Sequence, residues 1–122
     1  AAKVDEVIDL ATDITFKIRP ALKEQNSDKS MLMRKELTET VLPIWLGFME
    51  TLLERNGNTG YFVNDSLTVA DLAAWRLCGW ISGGIIDGIP ETILEKFPLL
   101  SKHQDNISKF PKVAEWLTKN RK

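Results

Sequence analysis

Apolar residues recur at helical spacing through the start of the chain: Val4, Val7, Ile8, Ala11, Ile14, Ile18 and Leu22. That spacing predicts one amphipathic helix from residue 3 to about 24. Pro20 lies near its end and should bend or stop it. Asn26-Ser27-Asp28 is a break rich in capping residues. Leu37, Val41, Ile44, Trp45, Phe48 and Leu52 then mark the inward face of a second long helix, roughly 28 to 55. Pro43 sits inside it, removes one backbone donor and should kink it near Glu39. Gly57-Asn58-Thr59-Gly60 ends this helix, and Tyr61-Phe62-Val63 reads as extended chain covering the core.

The next stretch, Asn64 to Leu72, turns a loop into a helix. Thr68 is the expected N-cap, its hydroxyl accepting from the N–H of Asp71. The Asp71 carboxylate can reach back to the N–H of Thr68, which makes a capping box with Asp in place of Glu or Gln. Leu67 and Leu72 supply the hydrophobic staple on either side of the cap. From Val69 to Ile81 only Asp71 and Arg76 are charged, so apolar residues occupy every face of the helix. Such a helix belongs in the middle of a core. Gly79 lets a neighbouring backbone approach closely. Gly83-Gly84 and Gly88-Ile89-Pro90 punctuate the chain beyond this helix, with Pro90 opening a short helix to about Lys96. Pro98 and Pro111 each read as the first residue of a short helix. Leu100, Ile107 and Phe110 face inward from the first, and Val113, Trp116 and Leu117 from the second. No alternating strand pattern occurs. The fold class is all-α: two long antiparallel helices, a buried central helix and short helices closing one end.

Composition narrows the function classes. At 122 residues with 43% apolar side chains the chain makes one domain with one core. A net charge of -1 gives no footprint for nucleic acid. No apolar run approaches the ~18 residues of a membrane span, and no signal peptide is visible at Ala1. The lone Cys78 excludes an intrachain disulfide and fits a reducing compartment.

Few residues offer chemistry. Asp5, Asp9 and Asp13 fall on one helical face, where like charges cost roughly 0.2–0.5 kcal/mol per pair. They read either as a solvated face near the positive helix N-terminus or as a site for an ammonium group. A hard metal ion needs more oxygen ligands than one helix face supplies. His103 has no second His and no nearby Cys, so it reads as a surface histidine. Cys78 lies among apolar residues as an inert core thiol, and the four Trp residues read as core. The glycines at 83, 84 and 88 follow a helix rather than a strand, which excludes a phosphate loop. Thr68 and Asp71 have the spacing of a cap, not of a catalytic pair. The residues alone describe a helical domain with no catalytic constellation.

Ser66-Leu67-Thr68-Val69-Ala70-Asp71 resembles the capping box and staple of the C-terminal domain of the glutathione transferases. Gly60-Tyr61-Phe62-Val63 resembles that family's apolar segment before the central helix. Phe97-Pro98-Leu99-Leu100 resembles its "F/Y-P-x-L" helix start, and Phe110-Pro111-Lys112-Val113-Ala114-Glu115-Trp116-Leu117 its closing "x-P-x-V-x-x-W/Y-L". The resemblance covers essentially the whole chain. The first helix, Val4 to Asp13, is most similar to the sigma-like class, which includes prostaglandin D synthases and S-crystallins.

The resemblance implies a second, N-terminal, thioredoxin-like domain, which binds most of the glutathione and carries the residue that activates its thiol. Nothing in these residues is that domain, so this domain alone should be inactive. Glutathione is then a co-substrate, no cofactor is implied, and the partners are a hydrophobic electrophile and a second copy in a cytoplasmic homodimer. Asp13 matches the Asp that reaches, across the dimer, the γ-glutamyl ammonium of glutathione. Thr12, Thr15 and Arg19 match the wall of the second-substrate pocket. Three positions depart from the pattern. Thr12 replaces an acid, Pro20 stands near the bulky aromatic of prostaglandin D synthases, and Asn64 replaces a Gly at a left-handed turn. A non-catalytic assembly module, of the crystallin or translation-factor scaffold type, is the alternative reading.

Overall fold

The structure, a computed structural model, describes residues 2–57, 59–84 and 86–110. The helix expected around Pro111, with Val113, Trp116 and Leu117, lies outside the described residues. Within them every regular element is helical: α1 (Ala2–Lys23), α2 (Ser27–Glu36), a π-helical turn (Leu37–Val41), α3 (Leu42–Arg55), α4 (Val69–Ser82), a 3-10 turn (Glu91–Lys96) and α5 (Pro98–Ser108).

α1 buries Val7, Ala11, Ile14, Ile18 and Ala21, one continuous stripe at alternating four- and three-residue steps. Pro20 falls in its last turn, where Glu24 N–H still reaches the Pro20 carbonyl at 3.1 Å. Leu22, expected to point inward, is exposed, because Ala21 already occupies the core side of that turn. α4 packs mainly on α1, with α5 and the 3-10 turn on its other sides. Ala70, Ala74, Leu77, Cys78 and Ile81 are all buried in the main core. Val69 is exposed, so the helix is core-facing on most sides rather than all round.

The largest departure from the sequence reading is in the second long helix. Where a kink was expected near Glu39, the helix is widened: Leu42 N–H bonds to the carbonyl of Leu37, five residues back. Pro43 has no N–H to bond, so the turn can open here at reduced cost. One inserted residue rotates the rest of the helix by about 100°. The buried positions after the turn are therefore Leu42, Leu46, Met49 and Leu53, each one residue later than Val41, Trp45, Phe48 and Leu52. Ile44 and Phe48 are left exposed.

Loops are tied by side chains from distant elements. Asn56 donates through Nδ2 to the carbonyls of Tyr61 and Asn64 at 2.8 and 2.6 Å. Asn64 adopts the left-handed conformation expected of it, with φ 53°. Phe97 gives α5 no side-chain cap. Instead Glu50 of α3 accepts from Leu99 N–H at 2.9 Å and from Leu100 N–H at 2.8 Å.

Candidate functional site

The cap of α4 forms as its sequence specifies. Thr68 N–H donates to Asp71 Oδ2 at 2.9 Å, and the Thr68 side chain completes the reciprocal half of the box. Leu67 and Leu72 pack together with Tyr61 and Phe110 around Trp75 and Ile107, which is the staple enlarged into a small second core. Asp71 does more than cap. Its Oδ1 accepts from Phe62 N–H at 3.0 Å and pairs with His103 Nε2 at 2.9 Å.

His103 is therefore not a surface residue: it is 2% exposed, beside an Asp71 that is 0% exposed. Its ring also meets Phe62 edge-on at 4.8 Å. The signal was in the spacing. Leu100, His103 and Ile107 are related by three and four residues, so all three lie on the buried face of α5. The pair is enclosed by the fold and lines neither of the clefts that flank α1, which makes it structural. Cys78 is buried as expected, and burial pushes its thiol up to about 12. No group of three or more His, Cys, Asp or Glu that could hold a metal ion occurs among the described residues. No described helix is long and apolar enough to cross a membrane.

The solvent-facing chemistry lies on the two flanks of α1. One cleft, of about 920 Å³, runs between α1 and the α4–α5 side. It brings together Thr12, Thr15 and Arg19, the three residues expected to form a wall. Opposite them α4 presents Trp75, Arg76 and Trp80, and α5 presents Gln104 and Ser108, none of which the sequence reading had placed there. Two of the four Trp residues are thus both core and cleft wall. Trp75 is oriented by its indole N–H, which donates to Ser108 Oγ at 2.8 Å. Gln104 Nε2 donates to the Trp75 carbonyl at 3.1 Å, while its Oε1 is buried without a hydrogen-bond partner. Gly79 makes room for that amide: a Cβ there would stand 3.0 Å from Gln104 Nε2. The close approach at Gly79 is thus by a side chain, not by a neighbouring backbone.

Asp13 is exposed on the other flank. There a cleft of about 620 Å³ between α1 and α3 is lined by Glu6, Asp9 and Asp13 against Phe48, Thr51 and Arg55. Asp5 does not line it, so the three-Asp stripe is divided. Asp13 and the Thr12–Thr15–Arg19 group, adjacent in sequence, open onto different clefts.

The chain matches the family model described as glutathione S-transferase, C-terminal domain, over residues 12–120. A glutathione S-transferase of Plasmodium yoelii yoelii is 41% identical over 81 residues, covering 66% of this chain and 35% of that protein. One from Plasmodium falciparum is 38% identical over 86 residues, with coverage of 66% and 38%. Among solved structures, NaGST-2 superposes with a TM-score of 0.75 at 26% identity, over 99% of this chain and 57% of that one. A glutathione S-transferase of the hookworm Necator americanus described as monomeric, Na-GST-3, gives 0.74 at 25% identity, over 99% and 58%. The chain therefore spans little more than a third of the two Plasmodium proteins and under three-fifths of the two solved chains.

Proposed function

This chain belongs to the glutathione S-transferase C-terminal domain family, and from that membership we propose that it is the helical half of a two-domain glutathione transferase. In this reading a thioredoxin-like domain supplies the group that activates the glutathione thiol. The present chain supplies the pocket for the second, apolar substrate. Its one thiol, Cys78, is buried and held protonated far above neutral pH, so it has no part in the transfer.

The observation that carries the reading is the convergence of Thr12, Thr15 and Arg19 in one cleft with Trp75 and Trp80. Its size, about 920 Å³, falls within the range of small-molecule sites, roughly 300–1,000 Å³. Apolar walls remove water from a bound electrophile and from the thiolate that attacks it.

Asp13 is proposed to contact the ammonium of glutathione held by a second subunit. It lies on the flank of α1 that also exposes Ile44 and Phe48, apolar surface suited to a subunit contact. A hydrogen bond to a charged group contributes roughly 1.5–3 kcal/mol. In the two-domain dimer, Asp13→Asn should weaken glutathione binding about tenfold or more, since ~1.4 kcal/mol is one decade. Asp5→Asn, about 12 Å away along the helix, should leave it unchanged. Calorimetric titration of glutathione into both variants and the parent is the test. Equal affinity for Asp13→Asn and parent would overturn the role of Asp13. Tight glutathione binding with no conjugation of any electrophile would favour the assembly-module reading instead.

A further inference from the structure

The two flanks of α1 differ in sign. The cleft beside α3 sets Glu6, Asp9 and Asp13 against Arg55, the one cation among the described residues that line it. The larger cleft beside α4 contains Arg19 and Arg76 and, among the described residues, no carboxylate. The Thr12 and Thr15 hydroxyls donate back to the carbonyls of Ile8 and Ala11, at 2.9 and 3.0 Å. Their protons are used, so toward a ligand they offer only methyl groups and lone pairs. Arg19 is exposed, and its guanidinium lies over the Phe16 ring at 5.3 Å. No ion pair engages Arg19 among the described residues, so its N–H donors are available to a ligand.

We propose that this cleft selects electrophiles that carry an acidic group on an aromatic body, with Arg19 as the specificity-determining residue. The proposal rests on the reading of the cleft as the second-substrate pocket. The aromatic body lies against Trp75 and Trp80, and the carboxylate or sulfonate meets the Arg19 fork, a geometry that favours planar anions. A neutral analogue keeps the ring contacts and loses the fork.

The test uses two ligands of one scaffold, 4-chloro-3-nitrobenzoate and its methyl ester. Their binding to this 122-residue chain is read by quenching of tryptophan fluorescence, corrected for ligand absorbance. The acid should bind at least fivefold more tightly than the ester at low salt, and the difference should shrink at high salt because Arg19 is exposed. Arg19→Ala should remove the preference by weakening the acid alone. Arg55→Ala makes the same charge change in the other cleft and should leave both affinities as they were. Equal affinities of the parent for acid and ester would overturn the proposal. So would parallel weakening of both ligands by Arg19→Ala, or an Arg55→Ala effect as large. The same pair is then compared in the two-domain protein. A preference that disappears there means that the attached domain occupies Arg19, and the proposal fails. A preference that persists without any conjugation sinks the transferase reading and leaves the selectivity standing.

Discussion

Asp71 is where the cap and the core meet, and its side chain is worth more than the cap alone. Thr68→Ala removes one half of a capping box and should cost about 1 kcal/mol. Asp71→Ala also strips the buried Phe62 N–H and His103 of their partner. Each buried polar group left without its hydrogen-bond partner costs about 1–3 kcal/mol. Urea denaturation of the two variants should therefore separate them by about 2 kcal/mol or more, the lower bound for the two stranded groups. Equal midpoints would mean that the His103 contact contributes nothing. The sequence made the local half of this node legible, because Thr68 and Asp71 are three residues apart. It hid the other half, because His103 is 32 residues further on and a single histidine carries no motif. Cys78 makes a second prediction at this scale. Its thiol moves from 9.0 in the open chain to about 12 when buried. Between those values the unfolded thiol ionises and the folded one does not, so stability present below pH 9 is lost as pH rises toward 12. The loss is about 1.4 kcal/mol per pH unit. Cys78→Ala should show a flatter alkaline stability profile than the parent, whatever its stability at pH 7.

The π-helical turn is the feature that pattern reading at the scale of elements did not recover. Val41, Trp45, Phe48 and Leu52 continue the four- and three-residue rhythm set by Leu37, and Leu42, Leu46, Met49 and Leu53 make an equally good stripe one residue later. A sequence with two adjacent apolar stripes leaves the choice to packing. Here the inserted residue resolves it in favour of the later stripe, whose four residues are all at most 3% exposed. Deleting Thr40, an exposed residue of the turn, should restore ordinary helical register and turn that stripe out of the core. Each of its side chains contributes roughly 1.5–3 kcal/mol by burial, so the deletion should unfold the domain, as read by circular dichroism. A stable, cooperatively melting deletion variant would mean that the register of α3 is not fixed by this turn. By contrast α1, α4 and α5 were legible from periodicity and caps, to within one or two residues at their ends. The cap that Glu50 gives α5 was not, since it crosses between helices 49 residues apart.

For the whole molecule, the candidate site was legible only in part. Thr12, Thr15 and Arg19 repeat at three- and four-residue steps on α1, so a common face was predictable from one element. Trp75, Trp80 and Gln104 join them only because α4 packs on α1 and α5 packs on α4, and no local pattern encodes that meeting. The separation of Asp13 from Thr12 into different clefts has the same origin: successive residues on a helix point about 100° apart, and each gap is closed by a different neighbour.

The bond between His103 and Asp71 also divides time as well as space. The capping box closes a loop of three residues and can form as soon as α4 nucleates. The His103 contact must wait until α5 arrives, after 32 residues of chain have been brought back. Refolding of Thr68→Ala should accordingly be slowed by nearly its full equilibrium loss. His103→Gln should refold at the parental rate and unfold faster. Stopped-flow measurements that gave both variants the same division between folding and unfolding rates would reject this order. If the order holds, the histidine acts as a latch rather than a seed. It sets how long the assembled domain lasts, while the four residues from Thr68 to Asp71 set how soon assembly begins.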